Sequence, residues 1–291
     1  MIEPKKPYLS VGWKEALKLV GENDSEFLSD FCLFRAGDNL WHCIGIGGQG
    51  HVQDSFFHAT GSSLDAHMPY TDRVYSGRTE MEWMWAPYAI RSNEKIYLYY
   101  CHREGGSYQM RMLEADWNSP TVWKKTALSC LEEGNIAFRQ KDNRDPCIFF
   151  DEKVGRYLMY YSAAQGEEEH SRIFVRTSDN LINWSKEKAV MGIPAGFTSA
   201  ESPFVYRKDG YYYLFVSGHD YARVTVYVSA DPFDFGDPVL DKLTEINGHA
   251  PEIVQENGKD YIACAGIYTR AGNGPGGSDL SGVYIQELKW K

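Results

Sequence analysis

Several familiar signatures are missing from these 291 residues. Six cysteines occur, at positions 32, 43, 101, 130, 147 and 264, yet none forms a C-x-x-C pair, which excludes the usual zinc-ribbon and redox motifs. Most sit in apolar runs such as DFCLF and DPCIFF, where a free thiol acts as a small hydrophobe and points to a reducing compartment. No stretch approaches 18 apolar residues, and MIEPKKPYLS at the start has no apolar core of a secretion signal, so no membrane partner is expected. The expectation is a cytoplasmic chain, or a secreted or periplasmic one if a signal peptide has been removed. Positive charge is in deficit: 30 Lys and Arg against 40 Asp and Glu give a net charge of −10, which repels polyanions and argues against nucleic acid. Helical periodicity is scarce too. The one convincing stretch is WKEALKLV (13–20), too short to build a domain.

What is abundant is aromatic: 14% of the chain, with 20 tyrosines, residues that favour strands and pack well on sugar rings. Four segments share a pattern of two residues, a proline and an apolar run: WAPYAI, RDPCIFF, ESPFVY and HAPEIV, with Pro87, Pro146, Pro203 and Pro251. A fifth, SDFCLF, carries Phe31 in the proline slot. The spacing is roughly 50–60 residues, near the upper end of propeller-blade periods. Each segment leads into a polar turn (AGDN, SNEK, DEKVG, RKDG, QENG) and a second β-rich run, such as IYLYYCHR or YYYLFVSG. That is a hairpin signature. A third strand follows in most units, for example RVTVYVSADPF, with DSFFHATGSSLDAH as the weaker copy in the first. Five such units must close to protect their edges, and a five-bladed all-β propeller does so. Residues 28–291 are expected to form it as a single catalytic domain, with 1–27 as a lead-in segment packed on it.

The first strand of each propeller blade lines the central channel. Aligning the five segments therefore gathers Asp30, Ala86, Asp145, Ser202 and Ala250 one position before the slot, and Ser29, Trp85, Arg144, Glu201 and His249 two before it. Three carboxylates, an arginine, a histidine and a tryptophan converge on one pit. Buried acids are costly unless paired or used, so such a set marks a functional site. His42, His58, His102 and His219 stand near strand ends, within reach of a mouth. Strand alternation turns Glu252, just after Pro251, away from the axis. Residues 51–61 and 271–282 read as mouth loops, the latter Gly-rich but without the Lys-Ser/Thr of a phosphate loop.

These same segments resemble the five-bladed propeller hydrolases of glycoside hydrolase families 43 and 32. WAPYAIRSNEKIYLYY is similar to the second-blade motif of family 43, RDP to the motif of family 32, and SAESPFVYRKDGYYYLFVSG to the fourth-blade segment that carries the acid in family 43. RTSDNLINW follows the third-strand pattern of the superfamily, serine-acid-x-leucine-x-x-tryptophan. The resemblance implies Asp30 as base or nucleophile, Asp145 as the residue that tunes the acid, and Glu201 as the general acid. It implies Arg144 on sugar hydroxyls and His249 holding water or a calcium ion in the channel. Trp85 and Ser29 complete the expected substrate contacts. Blade one departs from the pattern with Ser-Asp-Phe where both families have Asp-Pro, and the family 32 start Asn-Asp-Pro-Asn-Gly is missing.

Glycoside hydrolysis needs one protonated carboxyl for the leaving oxygen and one ionised carboxylate on the opposite face. Glu201 is therefore expected to hold its proton near neutrality, with Asp145 raising it by like-charge repulsion. The expected substrate is a small oligosaccharide cleaved at a terminal bond, arabinofuranosides first, then fructofuranosides and β-xylosides. No organic cofactor is implied, and no acidic loop motif supports calcium. The rivals are a propeller hydrolase acting on an anhydro-galactose or uronic unit, a phosphorylase, and a non-catalytic sugar-binding propeller.

Overall fold

A computed structural model describes residues 3–21, 26–49, 53, 55–71, 74–76, 83–104, 107–125, 141–164, 170–219, 221–266 and 282–291. Among the described residues every regular element is a strand. The chain opens with β1 (Pro7–Leu9) and β2 (Leu17–Val20). Blade one is β3 (Glu26–Arg35), β4 (Trp41–Gln49), β5 (Ser55–Gly61) and β6 (Tyr75–Ser76). Blade two is β7 (Trp83–Ser92), β8 (Lys95–Glu104), β9 (Ser107–Asp116) and β10 (Ser119–Lys125). Blade three is β11 (Lys141–Asp151), β12 (Arg156–Ala164), β13 (Arg172–Ser178) and β14 (Lys188–Met191). Blade four is β15 (Ala200–Lys208), β16 (Tyr211–Gly218), β17 (Arg223–Ser229) and β18 (Lys242–Asn247). Blade five is β19 (Glu252–Glu256), β20 (Lys259–Ala265) and β21 (Val283–Trp290). Each blade is an antiparallel meander in chain order. The inner strands touch in a ring, β3 to β7, β11, β15, β19 and back to β3. The fold is a five-bladed β-propeller.

The N-terminal residues complete the last blade. β1 and β2 both pair with β21, in registers Pro7↔Trp290 and Leu17↔Ile285, so one sheet holds both ends of the chain. This corrects the expected helix at 13–20. Only a turn forms at Trp13–Ala16, with Glu15 N–H on the Gly12 carbonyl, and Leu17–Val20 extends onto β21 instead. A two-turn helix is marginal alone, and strand pairing on an open edge outweighs its propensity. Residues 55–61, read within a mouth loop, pair with β4 as β5; 271–281 lie outside the described residues.

The second strand of each blade lies between two neighbouring strands and two neighbouring blades. That is why RYLMYYSAA and YYYLFVSG are nearly continuous apolar runs: β12 is buried from Leu158 to Ala164 and β16 from Tyr212 to Gly218. The RTSDNLINW motif proves to be a strand exit. Ser178 Oγ accepts the Asn180 and Leu181 amides at 3.2 and 3.0 Å, which tucks buried Leu181 and Trp184 under β13. Arg176, fully buried, is held by the Tyr161 hydroxyl at 2.9 Å and Glu187 at 3.0 Å.

The inner strands share one irregularity. In blades two to four the register with the second strand slips across the same two positions, between Trp85 and Tyr88, Arg144 and Cys147, and Glu201 and Phe204, and in blade one it slips one position earlier, between Leu28 and Phe31. Each slip is a β-bulge, which re-aims side chains. The residue before each proline stands in the left-handed region: Ala86 at φ 43°, Asp145 at 59°, Ser202 at 44° and Ala250 at 47°. Such backbone costs about 1–3 kcal/mol for a residue with a Cβ. Four repeats of it around one channel point to a site.

Candidate active site

The residues one position before the slot gather at one place in the channel. Asp30, Ala86, Asp145, Ser202 and Ala250, with Phe31 and the four prolines, line an open pit whose empty volume, with the solvent inside it, is about 290 Å³. Of the residues one step earlier, Arg144 reaches Asp145 and Glu201, and His249 reaches Asp30. Arg144 is the hinge of the arrangement. Its Nη2 donates to Glu201 Oε1 at 2.8 Å, its Nε lies 3.5 Å from Asp145 Oδ2, and its Nη1 donates to Ser171 Oγ at 3.0 Å. One guanidinium thus bridges the acids of blades three and four. Asp145 Oδ2 also accepts the Ser202 amide at 2.9 Å, an N–H that the left-handed turn at Ser202 aims across the blade boundary.

His219 Nδ1 sits 2.9 Å from the same Glu201 oxygen. In blade one, His249 Nε2 is 3.3 Å from Asp30 Oδ1, within ion-pair reach; that oxygen is buried and has no aligned hydrogen-bond donor. Tyr221 packs between the two histidines, its ring 5.4 Å from His219 and 4.7 Å from His249. Ser29 is buried at the start of β3, outside the residues that line the pit. Trp85, half-buried, stacks between Trp83 at 5.4 Å and Tyr108 at 5.1 Å, and its indole N–H is buried without a partner.

The protons fall otherwise than the sequence suggests. Burial pushes Asp145 up to about 7, against the pull of Arg144 and with the help of the Asp30 and Glu201 charges. Burial also pushes Glu201 up, but the His219 hydrogen bond and the Arg144, His249 and His219 charges outweigh it and bring Glu201 down to about 2. The expectation that Asp145 keeps Glu201 protonated is therefore reversed in the free site: the His219 hydrogen bond and the Arg144 charge on one oxygen outweigh burial. Burial lowers His249, but the Asp30, Glu201 and Asp145 carboxylates outweigh it and raise its value.

Sequence reasoning missed Tyr221 and misdirected Glu252, and it named His219 only as one of four histidines near strand ends. His219 follows directly on β16, which runs antiparallel to β15, so its end returns to the mouth beside Glu201. The words YYYLFVSG-His carried that signal. Tyr221 sits two residues further on, in a turn at φ 54°, with nothing in the sequence to mark it. Glu252 lines the pit, contrary to the expectation that it points away. His42 and His58 belong elsewhere. They hydrogen-bond each other at 2.8 Å inside blade one, and His42 reaches Asp38 at 3.2 Å.

The donor set does not suit calcium. A hard cation takes about six to eight oxygens, whereas beside His249 stand one carboxylate oxygen and a ring nitrogen, and no group of three or more His, Cys, Asp or Glu that could hold a metal gathers among the described residues. No step below uses an ion.

Comparison with known proteins agrees with this geometry. The sequence profile of Glycosyl hydrolases family 43 matches residues 63–291. The chain belongs to that family. As a family-43 protein it is a glycoside hydrolase. Solved structures of similar fold include the GH43_1 enzyme from Xanthomonas citri complexed with xylotriose, at 16% identity and TM-score 0.70, covering 95% of this chain and 90% of that one. A GH43 β-xylosidase/α-arabinofuranosidase from a compost microbial metagenome has 16% identity and TM-score 0.67, covering 98% and 96%. An exo-1,5-α-L-arabinanase from a bovine ruminal metagenomic library has 17% identity and TM-score 0.64, covering 93% and 96%. No curated protein matches the chain. The family match begins after β5, so in this family-43 enzyme Asp145 and Glu201 lie inside the matched region and Asp30 outside it.

Proposed function

We propose that this enzyme removes a terminal furanose unit, arabinofuranose first, from a small oligosaccharide, with Glu201 as general acid, Asp30 as base or nucleophile, and Asp145 as the proton holder that serves Glu201. The observation that carries the reading is Arg144, in contact with both Asp145 and Glu201 at a pit that Asp30 also lines. Two acids on one cation titrate as a pair. Between about 2 and about 7 that pair holds one proton, resting on Asp145 while the site is free. A sugar hydroxyl that draws off Arg144, and a ring that displaces His219, remove the two groups that keep Glu201 ionised. The proton then passes to Glu201, which delivers it to the glycosidic oxygen. Asp30, held from one side by His249, activates water or attacks the anomeric carbon from the other face.

The substrate class is supported by similar folds, among them a β-xylosidase/α-arabinofuranosidase and an exo-1,5-α-L-arabinanase. The test is reducing-sugar release from arabino-, fructo- and xylo-oligosaccharides and aryl glycosides, with wild type and Glu201→Gln, with and without phosphate. Arabinose release that ignores phosphate and nearly vanishes in the variant is expected. Release from neither protein would favour a sugar-binding propeller; equal release from both would remove Glu201 as the acid.

A further inference from the structure

Immediately inside the pit lies a second ring, formed by the residue after each slot: Cys32, Tyr88, Cys147, Phe204 and Glu252. Inner strands leave amides unpaired along the channel, and this ring caps some of them across blade boundaries. Cys32 accepts the Ala89 amide of blade two, and Cys147 accepts the Val205 amide of blade four at 3.4 Å. Glu252 accepts the Leu33 amide of blade one in the same relation. Capping therefore explains one acceptor at position 252, and two sibling blades meet that need with a thiol. It does not explain a carboxyl.

The difference lies in reach. Of the five ring members only Glu252 also lines the pit, where Asp30 stands too. The two carboxyls are complementary in what they lack. Asp30 Oδ1 is buried with no aligned donor. Glu252 is buried, with no cation in ion-pair reach among the described residues. The titratable groups facing it are Asp30 and Cys32 on β3, Cys43 on β4, Tyr88 on β7, Cys147 on β11 and Cys264 on β20, none of them cationic. An isolated buried carboxyl keeps its proton; burial pushes Glu252 well above the ordinary range, and the Asp30 charge adds to that.

We propose that Glu252 is a positioning residue for Asp30: held as a neutral acid, it accepts the Leu33 amide with one oxygen and turns its O–H toward Asp30, directly or through one ordered water. This rests on the role given to Asp30 above. It makes the base of blade one a carboxylate braced from beneath, with its outer oxygen left for the reaction.

Two variants separate the roles. Glu252→Cys keeps the cap that blades one and three already use and loses the donor; Glu252→Gln keeps an acceptor for Leu33 and an N–H for Asp30. Glu252→Cys is expected to lose about 10- to 100-fold in kcat, the range for a hydrogen bond to a charged group, with KM little changed, and Glu252→Gln to recover most of that loss at equal Tm. A Cys variant as active as wild type, or a Gln variant as damaged as the Cys one, would overturn the proposal. A second measurement needs no substrate. In alkaline buffer, above the value of about 7 for Asp145, wild type should show the infrared carbonyl band of a neutral carboxylic acid, absent in Glu252→Gln. No band in wild type defeats the proposal whatever the activity. A band in a protein that cleaves no sugar leaves Glu252 neutral and defeats the hydrolytic role of Asp30 instead.

Discussion

Blade one and the pair of blades three and four deliver their acids to the same pit in different ways. In blades three and four a proline follows the pit-facing residue, that residue is left-handed, and each carboxylate is tied down: Asp145 by the Ser202 amide and Arg144, Glu201 by Arg144 and His219. In blade one Phe31 takes the proline slot, Asp30 is not among the left-handed residues, and its buried oxygen has no aligned donor. In the proposed reading the tied pair stores the proton and the looser acid acts on water or carbon. Rigidity at one side of the pit and an unsatisfied anion at the other are what a proton donor and a base respectively need.

The largest expected effect falls on the looser side. Asp30→Asn should lower kcat by about two to four orders of magnitude while lowering Tm less than loss of Arg144 does, since His249 is the one cation that pairs with it among the described residues. Paired kinetics and thermal melts check it; a large Tm loss with modest kinetics would place Asp30 among the structural acids. Arg144→Met attacks the tied side, leaving two buried carboxylates without their cation. It should cost about 3–5 kcal/mol in urea unfolding, and a cost near zero would show that solvent reaches the pair.

A third prediction concerns pH. A carboxyl raised in the folded state binds its proton more tightly there than in the unfolded chain, so the stability from Asp145 is full below 3.8 and lost as pH rises through about 7. Glu201 runs the other way: its contribution is present above 4.5 and lost as pH falls toward about 2. Asp145→Asn should therefore flatten the fall in Tm between about pH 4 and 7 and leave the acid-side fall in place. If both limbs survive in the variant, the proton of the pair resides elsewhere. The smallest effect is backbone relief. Ser202→Gly keeps the amide on Asp145 and frees a φ of 44°, and should add up to about 1 kcal/mol; a loss would mean that the Ser202 side chain itself supports the turn.

The sequence makes the ring legible because each inner strand carries its own marker, a proline or Phe31 preceded by the two pit residues. Counting along five such markers places Asp30, Asp145, Arg144, Glu201 and His249 together without any long-range information. What escapes depends on backbone detail or on a neighbour far along the chain. Glu252 follows the marker like Cys32 and Cys147, yet of these three it alone lines the pit, which alternation does not foresee. The helix expected at 13–20 reflects local propensity, and a strand edge at the far end of the chain, Val283–Ile285, decides against it. The proton sits on Asp145 rather than Glu201 because His219, arriving from the end of β16, adds a second donor to one oxygen.

The central claim, Glu201 as general acid, is tested most directly by varying the leaving group. Wild type and Glu201→Gln would be compared on a sugar-leaving oligosaccharide and on an aryl glycoside whose phenolate departs without a proton. The account predicts that the variant loses about two to four orders of magnitude in kcat/KM on the first and little on the second. An equal loss on both substrates would contradict it, since a residue that only shapes the pit does not distinguish a leaving group that needs a proton from one that does not.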